Sequence, residues 1–385
     1  MSVAEHADAF LTPNYARYGV EFARGEGARL WDSDGNEYLD FLAGISVSSV
    51  GHCHPAVIAA IREQAAALIH VGNLYYTEPM SALAQRLSES SLGGKVFFTN
   101  SGTEAVEAAI KCARKARQGG TIVSVHGAFH GRTYGSLSAT PQEAKQAPFA
   151  PLVGGFVAVA PTRAALDAVI DEGTAAVILE TIQGESGVHV LADELLRFVR
   201  ERCDETGTTL IFDEIQTGLG RTGYAWDHLH CGVVPDLMTS AKALGGGLPI
   251  GALITGERHA DTFAPGDHGS TFAGGAVVCA AALAALDILL DDDLHARVRE
   301  LGEVLREGVA ALPHVVSVRG RGLMIGFDLD VDAPEIARRA LLEQRLVINA
   351  TGAATLRLLP PLIIGEAEAQ ECLARLRAVL GAGAD

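Results

Sequence analysis

From about residue 56 onward, short apolar runs alternate with segments whose apolar positions recur at helical spacing. Val96-Phe97-Phe98 precedes a helix predicted from about Thr103 to Arg117, and Thr121–Val125 and Ala175–Leu179 read as strands. A helix over 192–206 leads into Thr209-Leu210-Ile211-Phe212. This alternation predicts an α/β fold, a mainly parallel sheet with helices on both faces. Ahead of it, residues 18–45 predict strands joined by a turn, because Asp34-Gly35-Asn36 is favourable hairpin chemistry. After about residue 288 the pattern changes to a long charged helix, a Gly-rich strand pair around Arg319-Gly320-Arg321-Gly322, and a final helix. The expected organisation is an N-terminal segment, 1–45, packing with the small domain, then a large domain, 46–287, and a small α+β domain, 288–385.

The length of 385 residues suits two domains or one large α/β unit. A formal charge of −17 argues against a nucleic-acid partner, which needs clustered Lys and Arg. The six cysteines are scattered without a C-x-x-C pair and read as reduced thiols. Met1–Phe10 carries acids and no apolar signal core. The most apolar stretch, Ala276–Leu286, is too short to span a membrane. A soluble, cytoplasmic protein is therefore expected, with neither nucleic acid nor membrane as partner.

The candidate chemistry centres on Lys242, in Ser240-Ala241-Lys242-Ala243-Leu244-Gly245-Gly246-Gly247. Glycines let backbone approach a bound group, and a desolvated amine can form a Schiff base with a carbonyl. Asp213 ends a predicted strand and would project into the crevice where open α/β sheets bind ligands. Facing a pyridine nitrogen it would keep that nitrogen protonated; otherwise it is a solvated acid or a metal ligand. Ser101-Gly102-Thr103 joins a strand to a helix, as a phosphate cradle or an ordinary N-cap. Phe129 could stack on a planar ring and Arg132 could hold a carboxylate; alternatively they are a core Phe and a surface Arg. No G-x-x-x-x-G-K-[ST] occurs, which disfavours a P-loop ATPase. Gly218-Leu219-Gly220-Arg221-Thr222-Gly223 matches a dinucleotide fingerprint, but Asp213–Thr217 separate it from its strand and no helical pattern follows. The pairs His52/His54 and His228/His230 lack companion ligands at metal spacing and read as polar loop histidines, so no metal is expected.

Taken in order, these motifs resemble class III aminotransferases, pyridoxal-phosphate enzymes of fold type I. The resemblance runs from Leu39-Asp40-Phe41-Leu42-Ala43-Gly44 to Leu356-Arg357-Leu358-Leu359-Pro360-Pro361, and Asp213-Glu214-Ile215-Gln216-Thr217-Gly218 with Ser240-Ala241-Lys242 is its most specific part. It implies pyridoxal 5′-phosphate as cofactor, with Lys242 as the Schiff-base lysine and proton shuttle, and Asp213 as partner of the ring nitrogen. Gln216 would lie near the ring hydroxyl, Phe129 on the ring face, and Ser101, Gly102 and Thr103 at the phosphate. Thr271 would reach the phosphate of a neighbouring subunit's cofactor, implying a homodimer with shared active sites.

The chain is most similar to members acting on N-acetylornithine with 2-oxoglutarate, which implies that Arg132 and Ser270 contact the acetylated donor. Arg357 would hold the α-carboxylate of glutamate or 2-oxoglutarate, and Glu185 would pair with Arg357 in one half-reaction and release it in the other. Ornithine, succinylornithine, 4-aminobutyrate or lysine-pathway donors, and a silent binding protein of the same fold, are the alternatives. Thr181, Ser186 and Ser48 replace the family's common Pro, Gly and Asn.

Overall fold

The computed structural model describes residues 3–381. Its centre is a seven-stranded sheet in the order 93–99, 251–256, 237–240, 209–213, 174–179, 121–125, 156–159. Six strands run one way, and Gly251–Gly256 alone runs against both its neighbours. The central strands are buried on both sides, so their side chains divide by parity. Ile122, Ala176, Ile178 and Ile211 pack with Val106, Ala109 and Ile110 of helix Gly102–Ala116. On the opposite face Val123, Val177, Leu179, Leu210 and Phe212 pack with Leu196, Val199 and Cys203 of helix Asp193–Thr206.

A second sheet orders strands 315–321, 324–329, 355–358 and 349–350. A third joins 22–26, 29–32 and 37–40 to the short strand Leu346–Val347. In it Leu39 pairs with Leu346, so the N-terminal strands are stitched to the C-terminal part of the chain. The apolar helix Ala276–Leu289 buries Cys279, Ala282 and Leu286 in the same core as Val57, Leu83 and Leu87 of helices 55–67 and 78–89. No helix among the described residues is long and apolar enough to cross a membrane.

The G-x-G-x-x-G segment forms turns rather than a helix start. Its Arg221 is buried and donates to the carbonyls of Leu323 and Pro360 and to Ser49 Oγ. The loop reading of the histidine pairs fails at His228 and His230, which lie in the short helix His228–Cys231. His228 is buried there because the Glu214 carboxylate accepts from its backbone N–H and from its ring Nδ1. Among the described residues no cluster of three metal-ligating side chains occurs.

Candidate active site

The carboxyl ends of the parallel strands open into one cleft of about 470 Å³. Each strand delivers its residue where the chain leaves the sheet: Ser101–Thr103 after 93–99, Phe129 and His130 after 121–125, Glu180 after 174–179, Asp213 at the end of 209–213, and Lys242 after 237–240. Arg132, Glu185 and Gln216 complete the wall that these residues form.

Lys242 sits in a left-handed conformation, φ 45°, uncommon for a side chain with a Cβ and strained. Burial lowers its ammonium pKa, with Arg357 pushing the same way and Glu185 opposing. The neighbouring glycines shape the chain beyond the lysine. Gly246 and Gly247 have φ of +57° and +114°, so they make the turn after the lysine, and only Gly247 of the three lines the cleft.

The Asp213 carboxylate is fixed on both oxygens. Oδ1 accepts from the Ile215 N–H at 3.1 Å and Thr239 Oγ1 at 3.2 Å, while Oδ2 faces His130 Nδ1 at 2.8 Å. A carboxylate facing a ring nitrogen requires that nitrogen to donate, so the proton of a neutral His130 lies on Nδ1. Its Nε2 is buried with no protein partner.

The candidate phosphate cradle lies where helix Gly102–Ala116 begins, which leaves first-turn N–H groups without intrahelical acceptors; Ser101 is its N-cap, its side chain accepting from the Glu104 N–H. A Cβ at Gly102 would come within 2.8 Å of Ile215 Cδ1, so the bare glycine keeps this corner open. The Thr103 hydroxyl is engaged inside the protein: it bonds Thr133 Oγ1 and Ser136 Oγ and accepts from the Arg132 N–H. The Phe129 ring carries the Arg132 guanidinium 5.6 Å and the Lys145 ammonium 5.5 Å from its centroid.

Arg357 is fully buried. Its Nη1 donates to Glu185 Oε1 at 2.7 Å, the Gly184 carbonyl at 3.0 Å and Gln216 Oε1 at 3.2 Å, and its Nε to Asn349 Oδ1 at 3.3 Å. Nη2 is buried and unpartnered. Burial disfavours the Glu185 carboxylate, but Arg357 and Lys242 outweigh it and bring its pKa down to about 2. Gln216 Nε2 also donates to Glu185, at 3.2 Å, so Gln216 belongs to this ionic group as well as to the cleft wall.

Ser270 and Thr271 do not join the cleft within one chain. Ser270 Oγ accepts from Asn100, whose own side chain lines the rim, and Thr271 is exposed. Glu180, His130 and Asn100 are cleft residues that the motif reading missed. Glu180 is buried and accepts from the Phe129 and Gly184 N–H groups. Desolvation raises its pKa to about 7, with His130 opposing and Asp213 reinforcing the shift. The signal for Glu180 was available, since it directly follows an apolar strand just as Asp213 ends one.

The family model described as aminotransferase class-III matches residues 11–380. The chain is a class III aminotransferase. It is 48% identical to an acetylornithine aminotransferase of Caldanaerobacter subterraneus, covering 96% of this chain and 97% of that one. An acetylornithine aminotransferase of Methanopyrus kandleri is 45% identical over 99% and 100% of the two chains. Among solved structures, an N-acetylornithine aminotransferase from Stenotrophomonas maltophilia superposes with TM-score 0.85 at 36% identity, covering 99% of each chain. An ornithine aminotransferase from Toxoplasma gondii, described with partial occupancy of PLP at its active site, superposes with TM-score 0.94 at 34% identity over 98% and 93%. As a class III aminotransferase the chain uses pyridoxal 5′-phosphate and takes small amino and keto acids as substrates. The cleft fits that cofactor: a desolvated lysine, a rigid carboxylate, an open glycine cradle at a helix start and an aromatic ring share one cavity.

Proposed function

We propose that the protein is an acetylornithine transaminase of arginine biosynthesis, converting N2-acetyl-L-ornithine and 2-oxoglutarate to N-acetylglutamate 5-semialdehyde and L-glutamate. The observation that carries this reading is Arg357, buried with a free Nη2 and masked by Glu185. A ping-pong transaminase accepts two unlike donors in one site. Glutamate carries its α-carboxylate beside the reacting carbon, where an unmasked Arg357 would bind it. N-acetylornithine reacts at a terminal amine and needs that cation neutralised, which the Glu185 pairing supplies.

When bound, pyridoxal 5′-phosphate supplies an aldehyde carbon for amine exchange and a ring that takes up electron density. Lys242 would hold that carbon, and its less basic amine would be the group that moves the proton at the donor's amine-bearing carbon. Asp213, kept rigid by Thr239, Ile215 and His130, would hold the ring nitrogen protonated. Gln216 would reach the ring hydroxyl, Phe129 would orient the ring face, and Ser101, Gly102 and Thr103 would hold the phosphate. Arg132 would receive the acetylated donor's carboxylate.

The reading extends to a cytoplasmic homodimer with shared active sites. A run of exposed apolar side chains supports it: Leu74 is 90% exposed, Tyr76 97% and Phe272 69%. Such a patch marks an association surface. Thr271 adjoins it, so Ser270 and Thr271 would serve the partner's site. The division into 1–45, 46–287 and 288–385 belongs to the same proposal, supported by the separate sheets.

Steady-state kinetics with N-acetylornithine, ornithine and 4-aminobutyrate test the assignment. N-acetylornithine should give the highest kcat/KM; a preference for ornithine or 4-aminobutyrate would overturn the donor while leaving the family intact.

A further inference from the structure

Glu185 is carried at the tip of a β-hairpin, in which Ile182 pairs with Val190 and Gln183 with His189. That tip lies across one rung of the C-terminal sheet. Arg319 pairs with Gly326, Gly326 with Arg357, and Arg357 with Asn349, so two arginines flank a glycine on three adjacent strands.

The absent side chain at Gly326 is what admits the hairpin. A Cβ there would meet the Gly187 carbonyl oxygen at 2.7 Å and Val188 Cβ at 2.8 Å. The backbone bends sharply over this gap: Gly187 has φ +120°, and Val188, β-branched, has φ 60°. A β-branched residue there is an outlier that persists only when its surroundings hold it.

Two arginines do the holding, at different points. Arg357 donates to the Gly184 carbonyl and to Glu185 itself. Arg319 donates from Nε to the Gly187 carbonyl at 2.7 Å. Arg319 is in turn held bidentately by Asp328 at 2.6 and 2.9 Å, and Asp328 accepts from Ser317 and Thr355. The Arg319 guanidinium keeps the Asp328 carboxyl well below the usual carboxylate range. The pair is therefore built independently of the cleft.

We infer that Arg319 is a positioning residue for Glu185, fixing the pivot at Gly187 about which Glu185 moves on and off Arg357. This rests on the two-donor reading above. When a dicarboxylate takes Arg357, its contacts with Gly184 and Glu185 loosen together, and Arg319 is the contact from the C-terminal sheet that keeps the far side of the tip in place, beside the tip's own His189–Ser186 contact. Without it the paired arrangement loses its anchor, and Arg357 stands unmasked more of the time. The half-reaction that needs the mask suffers; the one that needs Arg357 free does not.

The test measures the two half-reactions separately on the holoenzyme, by single-turnover absorbance of the bound cofactor, with N-acetylornithine and with glutamate. Arg319→Gln should lower the kcat/KM for N-acetylornithine by about 10-fold or more, the scale of one lost hydrogen bond to a charged donor. The glutamate value should change by less than about 2-fold, and Arg319→Lys should recover part of the N-acetylornithine loss. Equal losses in both half-reactions, or no loss in either, overturn the inference. Should Arg319→Gln fail to fold, Asp328→Asn frees the same guanidinium without touching the hairpin and is judged by the same split. A wild-type enzyme inactive with N-acetylornithine would defeat the donor assignment instead, a distinct result.

Discussion

Lys242, the buried Glu180 and the half-buried Glu185 set the chemistry at the scale of single residues. Lys242→Ala should leave circular dichroism and elution volume unchanged and lower transamination by at least about 10²–10⁴-fold, the range expected for a lost proton-transfer group; near-normal turnover would refute the assignment of the lysine. Glu180 and Glu185 titrate in opposite senses. Glu180 holds its proton more tightly folded than unfolded, so its contribution to stability is full below 4.5 and declines as pH rises to about 7. Melting of the wild type relative to Glu180→Gln should therefore fall across that window. Glu185 does the reverse: the stability it adds above pH 4.5 is lost as pH drops toward about 2. Reading by residue singled out Lys242 and Asp213, because each stands out against its glycine-rich or apolar neighbours, whereas Arg357 entered through the family resemblance. It missed His130, whose importance lies in one contact, with Asp213, across 83 residues of chain.

Elements were legible where their pattern is local. The strands 121–125 and 209–213 and helix 193–206 lie within a residue or so of their predicted bounds, because burial on alternate faces and helical spacing are written in consecutive positions. The reversed strand Gly251–Gly256 carries no such mark; its apolar run fits either direction, and only its pairing with 93–99 and 237–240 fixes it. The Arg319–Gly326–Arg357 rung is invisible for the same reason, since register between distant strands is not a local property. One element makes its own prediction. Gly102→Ala would drive a methyl group into Ile215 at the start of helix Gly102–Ala116, where the phosphate is proposed to sit. Cofactor affinity should fall about 10-fold with melting little changed for the apo form, measured by equilibrium titration of pyridoxal phosphate; unaltered affinity would argue that the phosphate sits elsewhere.

At the scale of the whole molecule, the exposed strip around Leu74, Tyr76 and Phe272 sits beside Thr271 and Ser270, which a single chain leaves outside its own cleft. Association and activity should then fail together. Tyr76→Asp with Phe272→Asp should shift sedimentation to the monomer and lower cofactor retention and turnover by about 10-fold or more, since buried charge without a partner is strongly unfavourable at an interface. A monomeric double variant with full activity would show that each chain's site is complete alone.

The reversal of strand Gly251–Gly256 has a consequence in time as well as in space. The chain between Ser240 and Gly251 turns back at the same end of the sheet. Lys242 is thus clamped within a hairpin whose two arms are both interior strands. The hairpin bearing Glu185 has only two short pairs of its own. Amide hydrogen exchange should divide accordingly, with protection lasting longest in 237–240 and 251–256 and shortest at 184–188. The reacting amine would be the still point of the site, and substrate choice would be made by the part that opens first.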